Sequence, residues 1–303
     1  MSPLVLAVPV FNAAEFLPAT LASLNAQGSH LRWYLQDGSS RDSTVEIARS
    51  FARLGDMVVS ERDDGQADAL NRAFPRMGGQ IVGFLNGDDL LAPGAAERIV
   101  RYFDEHPDID LLYGSVEWID RHGHKTGAHS GSISSLSEML DIYNVWWGRR
   151  QWVQPEVFLR RSLWAKVGGF QNRWRLAFDY DFWVRCFLAG AKPAHDPSIV
   201  AQFRIHAAQK SSAAEQAADE IRSIVAEHLD AQAPIPHAER RRLRAQLSYD
   251  LYQLGRTTPP GEPRTPFAAA LLRNPRWLLS RAVRSRIQSS LAKALGFRRK
   301  TAL

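Results

Sequence analysis

The 303 residues are 45% hydrophobic and include a single cysteine, Cys186, which excludes a disordered chain and a disulfide-stapled secreted scaffold. The net charge of +6 hides an asymmetry: residues 264–303 hold ten Lys/Arg and no acid, leaving 28 basic against 32 acidic residues ahead of them. At a net of −4, the main body lacks the basic footprint of nucleic-acid binding, and no nucleic-acid partner is expected.

The apolar start Leu4 to Val10 reads as a first strand. It is too short for a signal core or a membrane span and has no basic flank. With one unpaired cysteine, a reducing compartment follows: a cytoplasmic location, free or peripheral on the cytoplasmic face of the inner membrane. Further apolar runs at Leu31 to Gln36, Met57 to Ser60 and Ile81 to Leu85 alternate with helical patterns at Ala14 to Ala26, Ser43 to Phe51, Gln66 to Phe74 and Pro93 to Phe103. Ser43-Thr44-Val45-Glu46 has the form of a capping box. Strands alternating with helices predict an α/β fold with an open, mostly parallel sheet and helices on both faces.

After Tyr113 the pattern loosens. His122 to Ser137, rich in Gly, Ser and His, reads as a long mobile loop whose three histidines are unligated. Trp146, Trp147 and Trp152 cluster beside Arg149 and Arg150, as core or as a platform for a sugar or lipid. A helix is expected near Asp179 to Ala189, a short strand ending at Phe203 to His206, and a charged helical extension over 213–258 behind a domain of 1–212. Pro259, Pro260, Pro263 and Pro266 mark a linker. In the tail, 259–303, Phe267, Trp277, Leu278, Leu291 and Phe297 alternate with cations, which predicts a basic amphipathic segment on an anionic membrane surface; packing against the protein is the alternative.

Polar or acidic residues follow each of the first four strands: Phe11-Asn12, Asp37-Gly38-Ser39-Ser40, Glu61 to Gln66, and Asn86-Gly87-Asp88-Asp89. In an open α/β sheet these ends share one edge, the default ligand site. Neither GxGxxG nor GxxxxGK[ST] is present, so any nucleotide is held without those loops. The adjacent acids Asp88 and Asp89 are hard oxygen ligands suited to Mg²⁺ or Mn²⁺ shared with a diphosphate.

These segments, with Asp63-x-Gly65-Gln66, Ala69, Asn71, Gln154-Pro155, Gly168-Gly169-Phe170, Asp179 to Arg185 and Arg204-Ile205-His206, resemble family-2 glycosyltransferases of the GT-A fold over roughly residues 4–212. The resemblance implies an inverting enzyme that moves a sugar from a UDP, GDP or dTDP donor to a glycan or lipid-linked acceptor. It places Pro9, Phe11, Asn12, Asp37, Ser39, Asp63, Gln66 and Asp88 with the nucleotide, and Asp89 and His206 with the metal and diphosphate. Asp179 matches the base toward the acceptor hydroxyl. Asp181 stays open as its substitute, because the Glu that often precedes the base is Phe178 here. Two rivals are a sugar nucleotidyltransferase, which would want a Gly- and basic-rich loop after the first strand, and a catalytically silent sugar-nucleotide-binding or membrane-scaffold module.

Overall fold

The computed structural model describes residues 4–207, 209, 213–230, 234–255 and 263–294. The first half alternates as its periodicity requires: β1 (Leu4–Val10), α1 (Leu17–Asn25), β2 (Leu31–Asp37), α2 (Thr44–Phe51), β3 (Met57–Ser60), α3 (Gln66–Arg76), β4 (Ile81–Phe84), β5 (Leu90–Leu91) and α4 (Ala95–Glu105). β1 is buried along its whole length, as expected of a central strand covered on both faces. Leu17, Leu21 and Leu24 of α1 and Ile99, Val100 and Phe103 of α4 join its core. Ser43 makes no capping bond; the Asp42 carboxylate instead accepts the Thr44 N–H at 3.1 Å.

The chain continues through β6 (Leu111–Ile119), β7 (Lys125–Ser130), α5 (Leu136–Leu140), a helical segment at Ile142–Arg150, β8 (Val157–Arg160), α6 (Arg161–Val167), α7 (Phe178–Leu188), β9 (Pro193–Arg204) and α8 (Ala214–Asp230). The strands form one sheet in the order β3-β2-β1-β4-β8-β6-β9-β5, with β7 on β6. β3, β2, β1 and β4 are parallel, whereas β8 meets both β4 and β6 antiparallel. The open α/β sheet is therefore parallel in its first half and mixed beyond β4.

The expected loop from His122 to Ser137 contains a strand and the start of α5. Pairing with β6 turns Lys125–Ser130 into a strand despite its poor β-formers, with alternate residues half-buried, a case of tertiary pairing overriding local propensity. Its histidines are engaged: His129 Nε2 lies 2.8 Å from the Gln151 carbonyl, and His124 Nδ1 lies 3.2 Å from Asp120.

The chain divides into two units, Met1–Ile221 and Arg222–Leu303. In the second, α9 (His237–Gln253), α10 (Phe267–Arg273), a 3₁₀ turn (Pro275–Leu279) and α11 (Arg281–Ala294) follow α8. Tyr249, Tyr252, Ala270, Trp277 and Val283 form its buried core. Trp277, expected at a membrane surface, is thus covered by α9, and its indole N–H donates to Ser248 Oγ at 3.2 Å. Leu272, Leu278 and Leu291 remain exposed. Pro259, Pro260, Leu295, Phe297 and the last three cations lie outside the described residues. Among the described residues no helix is long and apolar enough to cross a membrane.

Candidate active site

The carboxyl ends of β1, β2 and β4 are stitched into one edge. Asn12 and Ser39, the residues that turn the chain out of β1 and β2, both have positive φ, 50° and 66°, a conformation uncommon outside glycine and worth holding only where neighbours over-determine it. The neighbours do so: Asn12 N–H donates to Ser40 Oγ at 2.7 Å, Arg41 N–H to Asn12 Oδ1 at 2.9 Å, and Ala13 N–H to Thr44 Oγ1 at 2.8 Å. Gly87 closes the edge from β4, since a Cβ there would sit 2.7 Å from Val10. A Cβ on Gly38 would meet the Asp63 carboxylate at 2.9 Å, so Asp63 lies directly over the β2 turn.

This edge sorts the expected nucleotide residues. Phe11 is 63% exposed, and Asn12 and Ser39 are exposed beside it, giving an aromatic face with polar backbone at its rim. Pro9 does not present its ring, because it is buried within β1. Nor is Asp37 available as a base contact: it is fully buried, and its carboxylate accepts from Ser40 N at 3.0 Å, Ser60 Oγ at 2.6 Å, and Ser40 Oγ. It braces the turn that carries Ser39. Gln66 reaches across to Asn86 Oδ1 at 2.7 Å.

The two neighbouring acids separate sharply. Asp89, expected to hold a metal, is 1% exposed; one oxygen accepts the Arg204 N–H at 2.9 Å and the other the Asn86 amide at 3.2 Å. Burial, with the Asp88 charge beside it, holds its carboxyl well above the usual range. Asp88, expected at the base or ribose, faces His206, with Oδ2 3.0 Å from Nε2. The acid that meets His206 at the edge is therefore Asp88, and Asp89 anchors the loop. Sequence reasoning missed the organiser of this arrangement, Arg204. Buried at the end of β9, its guanidinium donates to the carbonyls of Asp88 at 2.8 Å and of Asp120 and Arg121 at 3.1 Å each, and lies over the Phe16 ring at 4.9 Å. Phe16 in turn packs against the His206 ring at 4.8 Å. The only sequence signal of Arg204 was its membership of the Arg204-Ile205-His206 segment, which assigned it no role.

α7 begins beside the end of β4: the Phe178 ring lies 6.1 Å from that of Phe84, and Phe170 contacts both. The loop ahead of it is clamped to α3 by Asn71, whose amide accepts from Phe170 N and donates to Phe170 O, both at 2.8 Å. The two acids of this helix also part. Asp181 is buried and ion-paired to Arg185 at 2.8 Å, while Arg185 further donates to the Val167 and Gly169 carbonyls. That places Asp181 in the scaffold and removes it as a candidate base. Asp179 is partly exposed, and Tyr180 N–H donates to it at 2.8 Å. Burial, partly offset by that bond and assisted by Glu220, raises its carboxyl to about 6, suited to proton transfer near neutral pH. Of the tryptophans, Trp152 is core at 2% exposure, Trp146 packs edge-on to Tyr180 at 4.6 Å, and Trp147 is 39% exposed.

Residues 5–170 match the model of Glycosyl transferase family 2. The PGL/p-HBAD biosynthesis glycosyltransferase of Mycobacterium tuberculosis is 34% identical over 185 residues, 59% of this chain and 68% of the relative. An uncharacterized glycosyltransferase of Rickettsia prowazekii is 27% identical over 219 residues, 70% and 67% of the two chains. Among solved structures, S. aureus TarS in complex with UDP-GlcNAc superposes with a TM-score of 0.64 at 17% identity, over 84% of this chain and 74% of that one. A mannosyltransferase from Pyrobaculum calidifontis in complex with GDP-Man and Mn²⁺ gives 0.58 at 17% identity, over 99% and 88%.

Proposed function

The chain belongs to glycosyl transferase family 2, and we propose that it moves a sugar from a nucleoside-diphosphate donor, UDP, GDP or dTDP, to a hydroxyl of a glycan or lipid-linked acceptor with inversion at the anomeric carbon. The observation that carries this reading is the division of labour between the acids. Asp37, Asp89 and Asp181 are buried and engaged in the scaffold, whereas Asp88, in the loop after β4, and Asp179, in the first turn of the helix whose Phe178 ring lies 6.1 Å from that of Phe84 in β4, are partly exposed.

The nucleobase stacks on the exposed Phe11 ring, with Asn12, Ser39 and Asp63 around the base and ribose. A divalent cation fits beside Asp88 and His206, because a carboxylate oxygen and an imidazole nitrogen already converge to 3.0 Å there. Those two residues would hold Mg²⁺ or Mn²⁺, which supplies charge neutralisation for a departing diphosphate. Asp179 takes the proton of the acceptor hydroxyl as that oxygen attacks the anomeric carbon from the face opposite the leaving group. One carboxylate base suffices, since inversion needs no covalent intermediate. The exposed cations of the second unit, among them Arg273, Arg276 and Arg281 beside Leu272 and Leu278, support peripheral contact with anionic lipid, though Trp277 takes no part in it.

Thermal-shift measurements with UDP-, GDP- and dTDP-sugars, with Mn²⁺ or EDTA, test the reading. One donor class should raise the melting temperature only with the ion, by about 5–10 °C at a hundredfold excess over Kd, and Asp88→Ala should abolish the gain. Equal stabilisation in EDTA, or stabilisation that survives in Asp88→Ala, contradicts it.

A further inference from the structure

The first turn of α7 lacks a cap of its own: Ala177 occupies the capping position and offers no side-chain acceptor. The loop that leads into it is held from α8. Glu220 takes the Arg175 N–H on Oε1 at 3.0 Å and the Leu176 and Ala177 N–H groups on Oε2 at 2.8 Å each. Three successive backbone donors converging on one anion form a nest. Here the anion is a side chain more than forty residues away, and the backbone it fixes leads within two residues to Asp179.

We propose that Glu220 is a positioning residue for the base, fixing the backbone that enters α7 and with it the carboxyl of Asp179. The inference rests on the reading of Asp179 as the base. Losing the nest would let the first turn of α7 shift, and a displacement of about 1 Å at a reacting group can cost on the order of a hundredfold in rate.

Glu220 also acts through its charge. After burial, it contributes to raising the Asp179 carboxyl. The other charged groups on elements packed against α7 are engaged elsewhere. Glu138 of α5 pairs with Arg150, Asp141 accepts from Asn144, and Lys166 and Arg161 of α6 donate to the carbonyls of Ala189 and of Pro75 and Gly78. Within α7, Asp181 and Arg185 pair with each other. A negative charge near a carboxyl disfavours its ionisation, so Glu220 helps to keep Asp179 basic as well as in place.

Glu220→Ala and Glu220→Gln, with Asp179→Asn as reference, test the proposal through three readouts: kcat and donor KM, the pH profile of kcat/KM, and amide exchange at Leu176 and Ala177. Glu220→Ala should lower kcat by about 10–100-fold with donor KM unchanged and expose both amides to exchange. Glu220→Gln retains an oxygen acceptor but no charge; it should keep most of kcat and move the acid limb to lower pH. A purely structural residue would lower the melting temperature and leave that limb where it was. Unchanged kcat in Glu220→Ala, or an unmoved limb in Glu220→Gln, overturns the proposal provided Asp179→Asn is inactive. Should Asp179→Asn transfer sugar normally, the base assignment itself is what fails. If Glu220→Ala does not fold, the limb in Glu220→Gln decides.

Discussion

Replacing Asp179 by asparagine removes an ionised group that its surroundings oppose, while the amide oxygen still accepts the Tyr180 N–H that lies 2.8 Å from the carboxylate. Raising a carboxyl from 3.8 to about 6 corresponds to roughly 3 kcal/mol against its ionised form. Water reaching the partly exposed side chain screens this, leaving about 1–2 kcal/mol. Because the folded value lies above the unfolded one, the penalty is absent below about pH 4, grows as pH rises, and is complete above about pH 6. Asp179→Asn should therefore melt with the wild type at about pH 4 and above it at about pH 7.5. In a unit of 221 residues the gain is about 2–8 °C, at roughly 2–4 °C per kcal/mol. Transfer moves the other way, falling by at least ~10²-fold with donor affinity retained. In the wild type, kcat/KM should rise about tenfold per pH unit up to about pH 6 and then level, because only the ionised carboxylate accepts a proton. Scanning fluorimetry at the two pH values beside a transfer assay reads all of this. A melting difference that is the same at both pH values, or a stabilised variant that still transfers, refutes the reasoning.

Asp181→Ala removes the buried carboxylate partner of the half-buried Arg185, which keeps the Val167 and Gly169 carbonyls, and should cost about 1–3 kcal/mol of stability; denaturant titration checks this, and a stably folded but inactive variant would return Asp181 to the chemistry. Sedimentation with anionic liposomes should retain the protein at low salt and release it at high salt, each basic residue near the surface contributing about 1 kcal/mol. Replacing Arg273, Arg276 and Arg281 together by glutamine should weaken this while leaving donor hydrolysis unchanged, and equal retention of both proteins removes the membrane role.

The parallel half of the fold was legible because its signals are local: the runs ending at Val10, Gln36, Ser60 and Leu85 carry their own periodicity and turn chemistry. The roles of Asp88 and Asp89 were not, because adjacent acids are told apart by distant partners, the Arg204 N–H that β9 brings to one and the His206 ring that meets the other. The Asp179 and Asp181 alternative did have a local key, since Arg185 stands four residues after Asp181, the spacing of a helical ion pair. Lys125–Ser130 read as a loop because its partner strand, not its composition, makes it β. The tail misled for a related reason: Trp277 and Val283 look surplus until α9 supplies Tyr249 and Tyr252 to cover them.

The hold of Arg204 on Asp88 and Asp89 spans 116 and 115 residues, so it governs when the enzyme comes into being as well as what shape it takes. At about 5–20 residues per second of synthesis, Asp88 leaves the ribosome some 6–23 s before Arg204 and His206 can join it. During that interval the nascent chain already owns β1 to β4 and the exposed Phe11, yet the loop bearing its paired acids has no anchor. A half-made protein of this design carries its paired acids on an unanchored loop until its ninth strand arrives.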